Sequence, residues 1–115
     1  MSIKRLDVGP RMSQAVIHGG IVYLAGQVGE GEDVTQQTRA ILSGIDALLA
    51  RAGSDKSKLL SAQIWLADIS TFAEMNAVWD GWVDPANTPA RATVESRLAA
   101  PKYLVEIMVT AAVAG

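Results

Sequence analysis

The chain has no cysteine, a single histidine and a single phenylalanine, and neither sign of charge is concentrated along it. Without cysteine there can be no disulfide, thiolate nucleophile or thiolate zinc site, so any chemistry must use oxygen and nitrogen groups. A formal net charge of −2 and the lack of Lys or Arg runs make nucleic acid and anionic membranes poor candidate partners. No apolar stretch is long enough to span a bilayer, and no apolar signal core follows the basic residues near the start, so we expect a cytoplasmic protein.

The composition favours a folded chain with a substantial core. Half of the 115 residues are hydrophobic and 19% are charged, which is far from the polar, highly charged composition of disordered proteins. The length fits one domain, and no repeat, linker or low-complexity tract divides the sequence. We therefore predict a single domain over residues 1–115.

Hydrophobic periodicity predicts two helices. Apolar residues at spacings of three and four run from Val34 to Ala52, and Asp33 with Gln36 has the arrangement of a capping box. A second helix is predicted from Phe72 to Val83, introduced by a second capping box that starts at Thr71. Its apolar face contains two tryptophans, which favours core packing over a stacking platform for bases.

Alternating apolar residues and turn signals predict the strands. The Gly19-Gly20 pair is typical of a tight hairpin turn. The predicted strands are Ile3–Leu6, Gln14–His18, Ile21–Ala25, Leu59–Leu66, Ala90–Arg97 and Tyr103–Val113. Within Leu59–Leu66 the predicted apolar stripe is Leu60, Ala62, Ile64 and Leu66. Strands mixed with two helices predict an α+β fold in which both helices cross one face of a single sheet.

The last predicted strand indicates that the other face of the sheet is also buried. One of its stripes is wholly apolar, and the other is interrupted by a carboxylate, Glu106. Since a chain this short cannot cover both faces, we expect the second stripe, with Leu104 and Met108, to meet another subunit. A charge at such a place needs a partner, and Arg91 is the candidate.

Several short motifs occur in a fixed order along the chain. They are Gly9-Pro10, Ser13-Gln14-Ala15-Val16, Val22–Gln27, Gln37-Thr38, Ala52-Gly53-Ser54, Phe72–Asn76, Pro89-Ala90-Arg91 and Val105-Glu106-Ile107. In this order they resemble the RidA/YjgF family of reactive-intermediate (imine/enamine) deaminases over nearly the whole chain. Further segments are similar to the YoaB-like subgroup, namely Lys56-Ser57-Lys58, Ile64–Asp68, Trp79–Val83 and Pro101-Lys102-Tyr103.

The resemblance implies a chorismate-mutase-like α+β fold, a mixed sheet and a homotrimer with active sites in the clefts between subunits. It implies hydrolysis of 2-imino acids, or their enamine tautomers, to 2-oxo acids and ammonia, with no metal and no organic cofactor. Small imino and oxo acids would then be the partners of the protein.

Three residues carry the chemistry that the resemblance implies. Arg91 matches the arginine of the family that binds the substrate carboxylate, a task suited to the planar guanidinium. Glu106 matches the glutamate near the catalytic water and would orient it or pass protons. Backbone groups near Thr93, which stands where many relatives carry cysteine, would help to hold the substrate or water. A structural salt bridge is the alternative role for Glu106.

Four further residues match positions around the family cleft. Gly26 and Gln27 end the hairpin where the family lines its cleft, and glycine there allows close approach of other atoms. The usual Gly-Pro-Tyr motif of the family is here Gly9-Pro10-Arg11-Met12 and lacks the aromatic residue, so Met12 is a candidate pocket wall, with a packed edge residue as the alternative. Asn76 is interpreted mainly as a structural link, since a buried amide needs hydrogen-bond partners.

Two other functions remain open from the sequence. A non-catalytic regulatory module would use the same pocket to bind small carboxylates without turnover. An endoribonuclease, an activity sometimes attached to this family, would need a basic groove and a general acid/base pair, and the sequence supplies neither clearly. His18, beside the hairpin turn, is interpreted as a surface residue, and the acidic residues near position 30 as charges that favour a helix start.

Overall fold

In a computed structural model, residues 2–113 are described; residue 1 and residues 114–115 of the predicted domain lie outside that range. The elements in chain order are β1 (Lys4–Val8), β2 (Ser13–His18), β3 (Ile21–Leu24), α1 (Val34–Arg51), β4 (Leu59–Leu66), α2 (Phe72–Trp82), β5 (Ala90–Glu95) and β6 (Val105–Ala112). Short 3₁₀ turns, Lys56–Lys58 and Ile69–Thr71, precede β4 and α2.

The strands form one mixed sheet in the order β1-β2-β3-β6-β4-β5. β4 and β5 are parallel, and every other neighbouring pair is antiparallel. α2 is the crossover that the parallel pair requires. The predicted α+β architecture, a mixed sheet with two helices on one face, is thus confirmed. β5 lies at one edge of the sheet.

The core lies between the two helices and one face of the sheet. β6 contributes the apolar stripe that the sequence predicts, through alternate buried residues from Val105 to Ala111. The largest fully buried apolar side chains come from both helices and several strands: Ile41, Leu42, Ile45, Leu49, Ile64, Leu66, Met75, Ile107, Val22, Val105 and Val109. The predicted hairpin is also present, and Gly19 and Gly20 take the positive φ angles of 61° and 80° that its turn needs.

The predicted apolar stripe of β4 is wrong at its start. The pairing of β4 with β6 shifts register between Leu59 and Ser61, and this bulge changes which side chains point inward. Leu59 is buried, whereas Leu60 is 47% exposed on the other face. From Ala62 onward the alternation is as expected.

The start of β6 differs from the prediction because a buried glutamine holds the chain before it. Gln37 Nε2 donates to the carbonyl oxygens of Gly31 (3.0 Å) and Lys102 (2.8 Å), and its Oε1 accepts from the Leu104 amide (2.8 Å). The bonds to Lys102 and Leu104 use backbone groups just before the strand, so β6 begins at Val105 and not at Tyr103. The other predicted bounds agree with the structure or differ from it by one or two residues.

Of the two predicted capping boxes, the first is partly formed and the second is absent. The Asp33 side chain accepts a hydrogen bond from the Gln36 backbone amide at 2.8 Å. In a complete capping box Gln36 Oε1 would accept from the Asp33 amide, but here it accepts from the Glu32 amide. Thr71 makes no side-chain cap to α2, because its hydroxyl donates to the Asp68 carbonyl at 2.6 Å within the preceding turn. Glu74 instead accepts two hydrogen bonds from Thr35, which tie α2 to the first turn of α1.

Candidate functional site

Arg91 lies on the helical side of the edge strand β5. It pairs in register with Ala62, a buried residue of β4, so both side chains point toward the helices. The guanidinium carbon is 5.2 Å from the centre of the Trp79 ring and 5.8 Å from that of Phe72, both on α2. Among residues 2–113 no carboxylate forms a salt bridge with Arg91. The cation therefore rests against aromatic rings and keeps its donors available.

Glu106 lies on β6 and is packed against Gly26. A Cβ atom added at Gly26 would lie 2.1 Å from Glu106 Oε2 and 3.0 Å from Cδ. The φ angle of Gly26 is not positive, so the lack of a side chain matters here for space and not for backbone conformation. The fold thus brings together two residues that the sequence indicates separately, Gly26 and Glu106. No salt bridge joins Glu106 to a cation within the described chain.

Arg91 and Glu106 do not meet within one chain, so the expected pairing of the two charges stays a prediction that would require two copies of the chain. Along β4, Arg91 is level with Ala62 and Glu106 with Trp65. These β4 residues are three apart, an odd number, so their side chains lie on opposite faces of the sheet. The strands that carry the two charges are also not neighbours, because β4 separates them.

The face of the sheet that carries Glu106 is not covered by either helix. Its large apolar side chains are partly exposed: Tyr23 by 47%, Val94 by 44% and Met108 by 39%. A depression of about 450 Å³ lies on this face between strands β3 and β5. Soluble monomers seldom leave so much contiguous apolar surface in water. Contact of the Glu106 face with another subunit remains a prediction. The exposure of these apolar side chains favours it.

Two buried polar atoms lie near Arg91 without a hydrogen-bond partner among residues 2–113: Thr93 Oγ1 and Asn76 Oδ1. Thr93 is two residues after Arg91 on β5 and therefore shares its face. Asn76 lies one turn after Phe72 and one turn before Trp79 on α2, so it belongs to the helix face that Arg91 contacts. A purely structural role for Asn76 would require its side-chain carbonyl oxygen to accept a hydrogen bond. Within residues 2–113 this oxygen accepts none. Buried groups of this kind call for an explanation, and a bound polar ligand is one.

Gln27 fixes the strand end beside Gly26. Its backbone exchanges hydrogen bonds of 2.8 and 3.0 Å with Ile107 of β6, and its side-chain nitrogen donates to Gln14 Oε1 at 2.9 Å. The predicted supporting role of Gln27 remains a prediction, and these bonds give it a physical basis. Met12 is 48% exposed, two residues before Gln14, with its carbonyl accepting from the Gly9 amide. Its place is therefore at the Gly26 end of the sheet and not beside Arg91.

Sequence reasoning missed the aromatic contacts of Arg91. Trp79 was expected only in the core, and it is indeed 5% exposed, but one side of its ring also supports the guanidinium. The signal was present in the spacing of Phe72 and Trp79, which are seven residues apart on one helix face. The sequence alone does not show that Arg91 meets this helix face. The pairing of β5 with β4 shows it, because Arg91 is in register with the inward-facing Ala62.

Neither a membrane span nor a metal cluster is found in residues 2–113. No helix in this range has the length and apolar content to cross a bilayer. In the same range, no three His, Asp or Glu side chains are grouped so that they could hold a metal ion.

Comparison with known proteins agrees with the motifs. Residues 2–113 match the family described as Endoribonuclease L-PSP. A RutC family protein of Haemophilus ducreyi is 49% identical over 113 residues, covering 96% of this chain and 97% of that protein. The RutC family protein YoaB of Escherichia coli K12 is 46% identical over 115 residues, covering 98% and 100%. The crystal structure of a YjgF-family protein from Neisseria meningitidis is 46% identical and covers 100% of this chain and 98% of its own, with a TM-score of 0.98. The chain therefore belongs to the RidA/YjgF family, described by its family model as Endoribonuclease L-PSP, and within it to the YoaB-like proteins.

Proposed function

We propose that the protein hydrolyses small 2-imino acids, and the enamines in equilibrium with them, to 2-oxo acids and ammonia. The observation that carries the proposal is the state of Arg91 in the family motif Pro89-Ala90-Arg91. It is a half-buried cation, positioned by aromatic rings and not neutralised by a carboxylate within the described chain. A cation in this state suits a substrate that brings its own carboxylate.

Arg91 would bind the substrate carboxylate with two parallel hydrogen bonds, the geometry in which a guanidinium is most selective. Thr93 Oγ1 is buried without a partner on the same strand face, and its hydroxyl can donate a further bond to that carboxylate. Asn76 Oδ1, also buried and unpaired, can accept a hydrogen bond from the imine nitrogen. The carboxylate and the C=N group would thus be held by different residues.

Glu106 would orient the attacking water from its position beside Gly26. The water oxygen forms a bond to the imine carbon while one of its protons passes, through the carboxylate, to the nitrogen. The resulting carbinolamine then loses ammonia: its O–H proton passes, through the same carboxylate, to the departing nitrogen as the C–N bond breaks, which leaves the 2-oxo acid. Water is the only co-reactant and no electrons are transferred, so the residues named here suffice for the proton movements.

The opposite orientations of Arg91 and Glu106 imply that each site is shared between two copies of the chain. The proposal therefore places Arg91 of one subunit opposite Glu106 of its neighbour in a cyclic oligomer, for which a homotrimer is our expectation. The uncovered apolar face around Glu106 supports this assembly. In that arrangement neither residue needs a partner within its own chain.

The direct test follows the loss of 2-iminobutanoate generated in situ by an amino-acid oxidase or a dehydratase. Wild-type protein should accelerate its conversion to 2-oxobutanoate, and Arg91→Ala and Glu106→Gln should not. Arg39→Ala on the exposed side of α1 is the matched control for loss of one positive charge outside the site, and it should keep the wild-type rate. Equal rates for wild type and Arg91→Ala would contradict the proposal.

Two further measurements, binding of 2-oxobutanoate and cleavage of RNA, test the remaining functions. Tight binding of 2-oxobutanoate with no acceleration by wild type would identify a regulatory module that binds carboxylates without turnover. RNA cleavage that depends on Glu106 and is suppressed by salt would favour an endoribonuclease. Either result would replace the deaminase proposal.

A further inference from the structure

The aromatic support of Arg91 is the feature that the proposed reaction does not yet explain. A guanidinium at this depth is more commonly held by a carboxylate, which satisfies its donors and fixes its orientation. Here the nearest groups that the structure assigns to it are the ring faces of Trp79 and Phe72, at 5.2 and 5.8 Å. Both distances lie within the range over which a ring face attracts a cation.

The two rings are not equivalent. Phe72 is 39% exposed and lies in the first turn of α2, whereas Trp79 is 5% exposed. Trp79 is itself held in place, because its ring packs against Trp82 at 5.3 Å with the ring planes inclined by 54°. Trp82 is anchored in turn by a 3.0 Å hydrogen bond from its indole nitrogen to Asp46 of α1. Trp79 is thus a rigid, desolvated surface, and a cation beside such a surface is attracted more strongly than in water.

A ring and a carboxylate would hold the arginine with different consequences for a ligand. A carboxylate would use the donors of the guanidinium and cancel its charge, so that a substrate carboxylate would have to displace it. A ring contacts the flat face of the guanidinium and leaves the donors at its edge free. The arginine can then be fixed in position before the substrate arrives while it keeps its full affinity for an anion.

We propose that Trp79 is a positioning residue of this site, which holds the Arg91 guanidinium by its ring face and thereby sets the affinity for carboxylate ligands. This inference rests on the proposed function, because it assigns the aromatic support to the group that would bind the substrate. Trp79 touches neither substrate nor water and acts only through Arg91.

The test must weaken the electrostatic attraction of the ring without opening a cavity in the core. Truncation of Trp79 would risk unfolding, since removing a buried tryptophan commonly destabilises a protein severely. Tetrafluorotryptophan placed at position 79 by nonsense suppression keeps the ring and its shape but removes most of the negative charge on its face. Binding of 2-oxobutanoate to the full-length protein is then measured by calorimetry, and turnover of 2-iminobutanoate is followed in parallel.

We expect the fluorinated ring to raise the Kd for 2-oxobutanoate by about tenfold, equivalent to about 1.4 kcal/mol. KM for the imine should rise to a similar extent with a smaller change in kcat, since the loss is in holding the carboxylate. The matched control is the same fluorinated residue at position 82, which packs on Trp79 but does not contact Arg91, and it should leave Kd unchanged. Trp79→Tyr should keep most of the affinity, and Trp79→Leu, if folded, should lose it.

The two measurements distinguish failure of the proposed role of Trp79 from failure of the proposed function on which it rests. If wild type binds 2-oxobutanoate and consumes the imine while fluorination at position 79 leaves Kd unchanged, the role of Trp79 is refuted and the deaminase proposal stands. If wild type neither binds the oxo acid nor consumes the imine, the proposed function fails and the inference fails with it.

Discussion

Substitution of Gly26 by alanine tests whether the position of the Glu106 carboxylate matters for turnover. The added Cβ would lie 2.1 Å from Glu106 Oε2, whereas ordinary contact begins near 3.4 Å. Since the backbone at Gly26 permits alanine, the carboxylate must give way by more than about 1 Å, and a misplacement of that size can cost about 100-fold in rate. We therefore expect kcat for 2-iminobutanoate hydrolysis to fall by about two orders of magnitude.

The same substitution should have little effect on stability. The obstructing atom is the far end of a flexible side chain, so the cost is that of a changed rotamer, about 0.5 to 1.5 kcal/mol. Replacing glycine by alanine restricts the unfolded chain and returns about 0.4 to 1 kcal/mol. Urea denaturation should therefore give a free energy of unfolding within about 1 kcal/mol of wild type.

Two controls make the result specific. Gly81→Ala adds the same methyl group in α2, where nothing lies within 4 Å, and it should leave kcat unchanged. The double variant Gly26→Ala with Glu106→Gln should be no slower than Glu106→Gln alone, because both changes act on one group. If Gly26→Ala kept wild-type kcat while Glu106→Gln abolished turnover, the packing of Glu106 against Gly26 would have no part in the mechanism.

Three further predictions concern assembly and stability. Met108→Asp, which places a charge on the uncovered face of the sheet, should dissociate the oligomer in sedimentation experiments, while Ala77→Asp on the outer side of α2 should not; unchanged assembly of the Met108 variant would contradict the interface. Gln37→Leu leaves three backbone groups without their partner and should lower the free energy of unfolding by about 3 kcal/mol; a loss below about 1 kcal/mol in urea denaturation would be inconsistent with the three bonds. Hydrogen bonds led by that of Ser57 hold the pKa of Asp55 at about 2, below its ordinary 3.8. Because this pKa is depressed by folding, the stabilisation is complete above pH 3.8 and is lost as the pH falls toward 2. The stability difference between wild type and Asp55→Ala should therefore narrow over that interval, and a difference independent of pH would refute the assignment.

The elements of the fold could be predicted because their signals are local. Alternation from Val105 to Ala111 identifies the buried side of β6, and the Gly19-Gly20 pair identifies the hairpin. The error at Leu60 arose because a bulge depends on the partner strand: the register shift between Leu59 and Ser61 is a property of the β4–β6 pair and leaves no mark in the β4 sequence alone.

The site was harder to predict than the elements for the same reason. The motifs indicated Arg91 and Glu106, but the side of the sheet that each faces depends on two strand registers through β4. The sequence likewise suggested that Asn76 needs a hydrogen bond, yet only the packed structure shows that its carbonyl oxygen is buried without a partner in residues 2–113. Nonlocal pairing therefore decides which predicted residues can act together.

A mixing experiment tests most directly whether the catalytic pair spans two copies of the chain. Arg91→Ala and Glu106→Gln subunits, each inactive alone, are unfolded in urea, mixed in equal amounts and refolded together. If Arg91 of one subunit acts with Glu106 of its neighbour, random assembly should restore about a quarter of the wild-type activity, since about one interface in four joins the two intact residues. A mixture no more active than its separate components would contradict the shared site and the mechanism built on it.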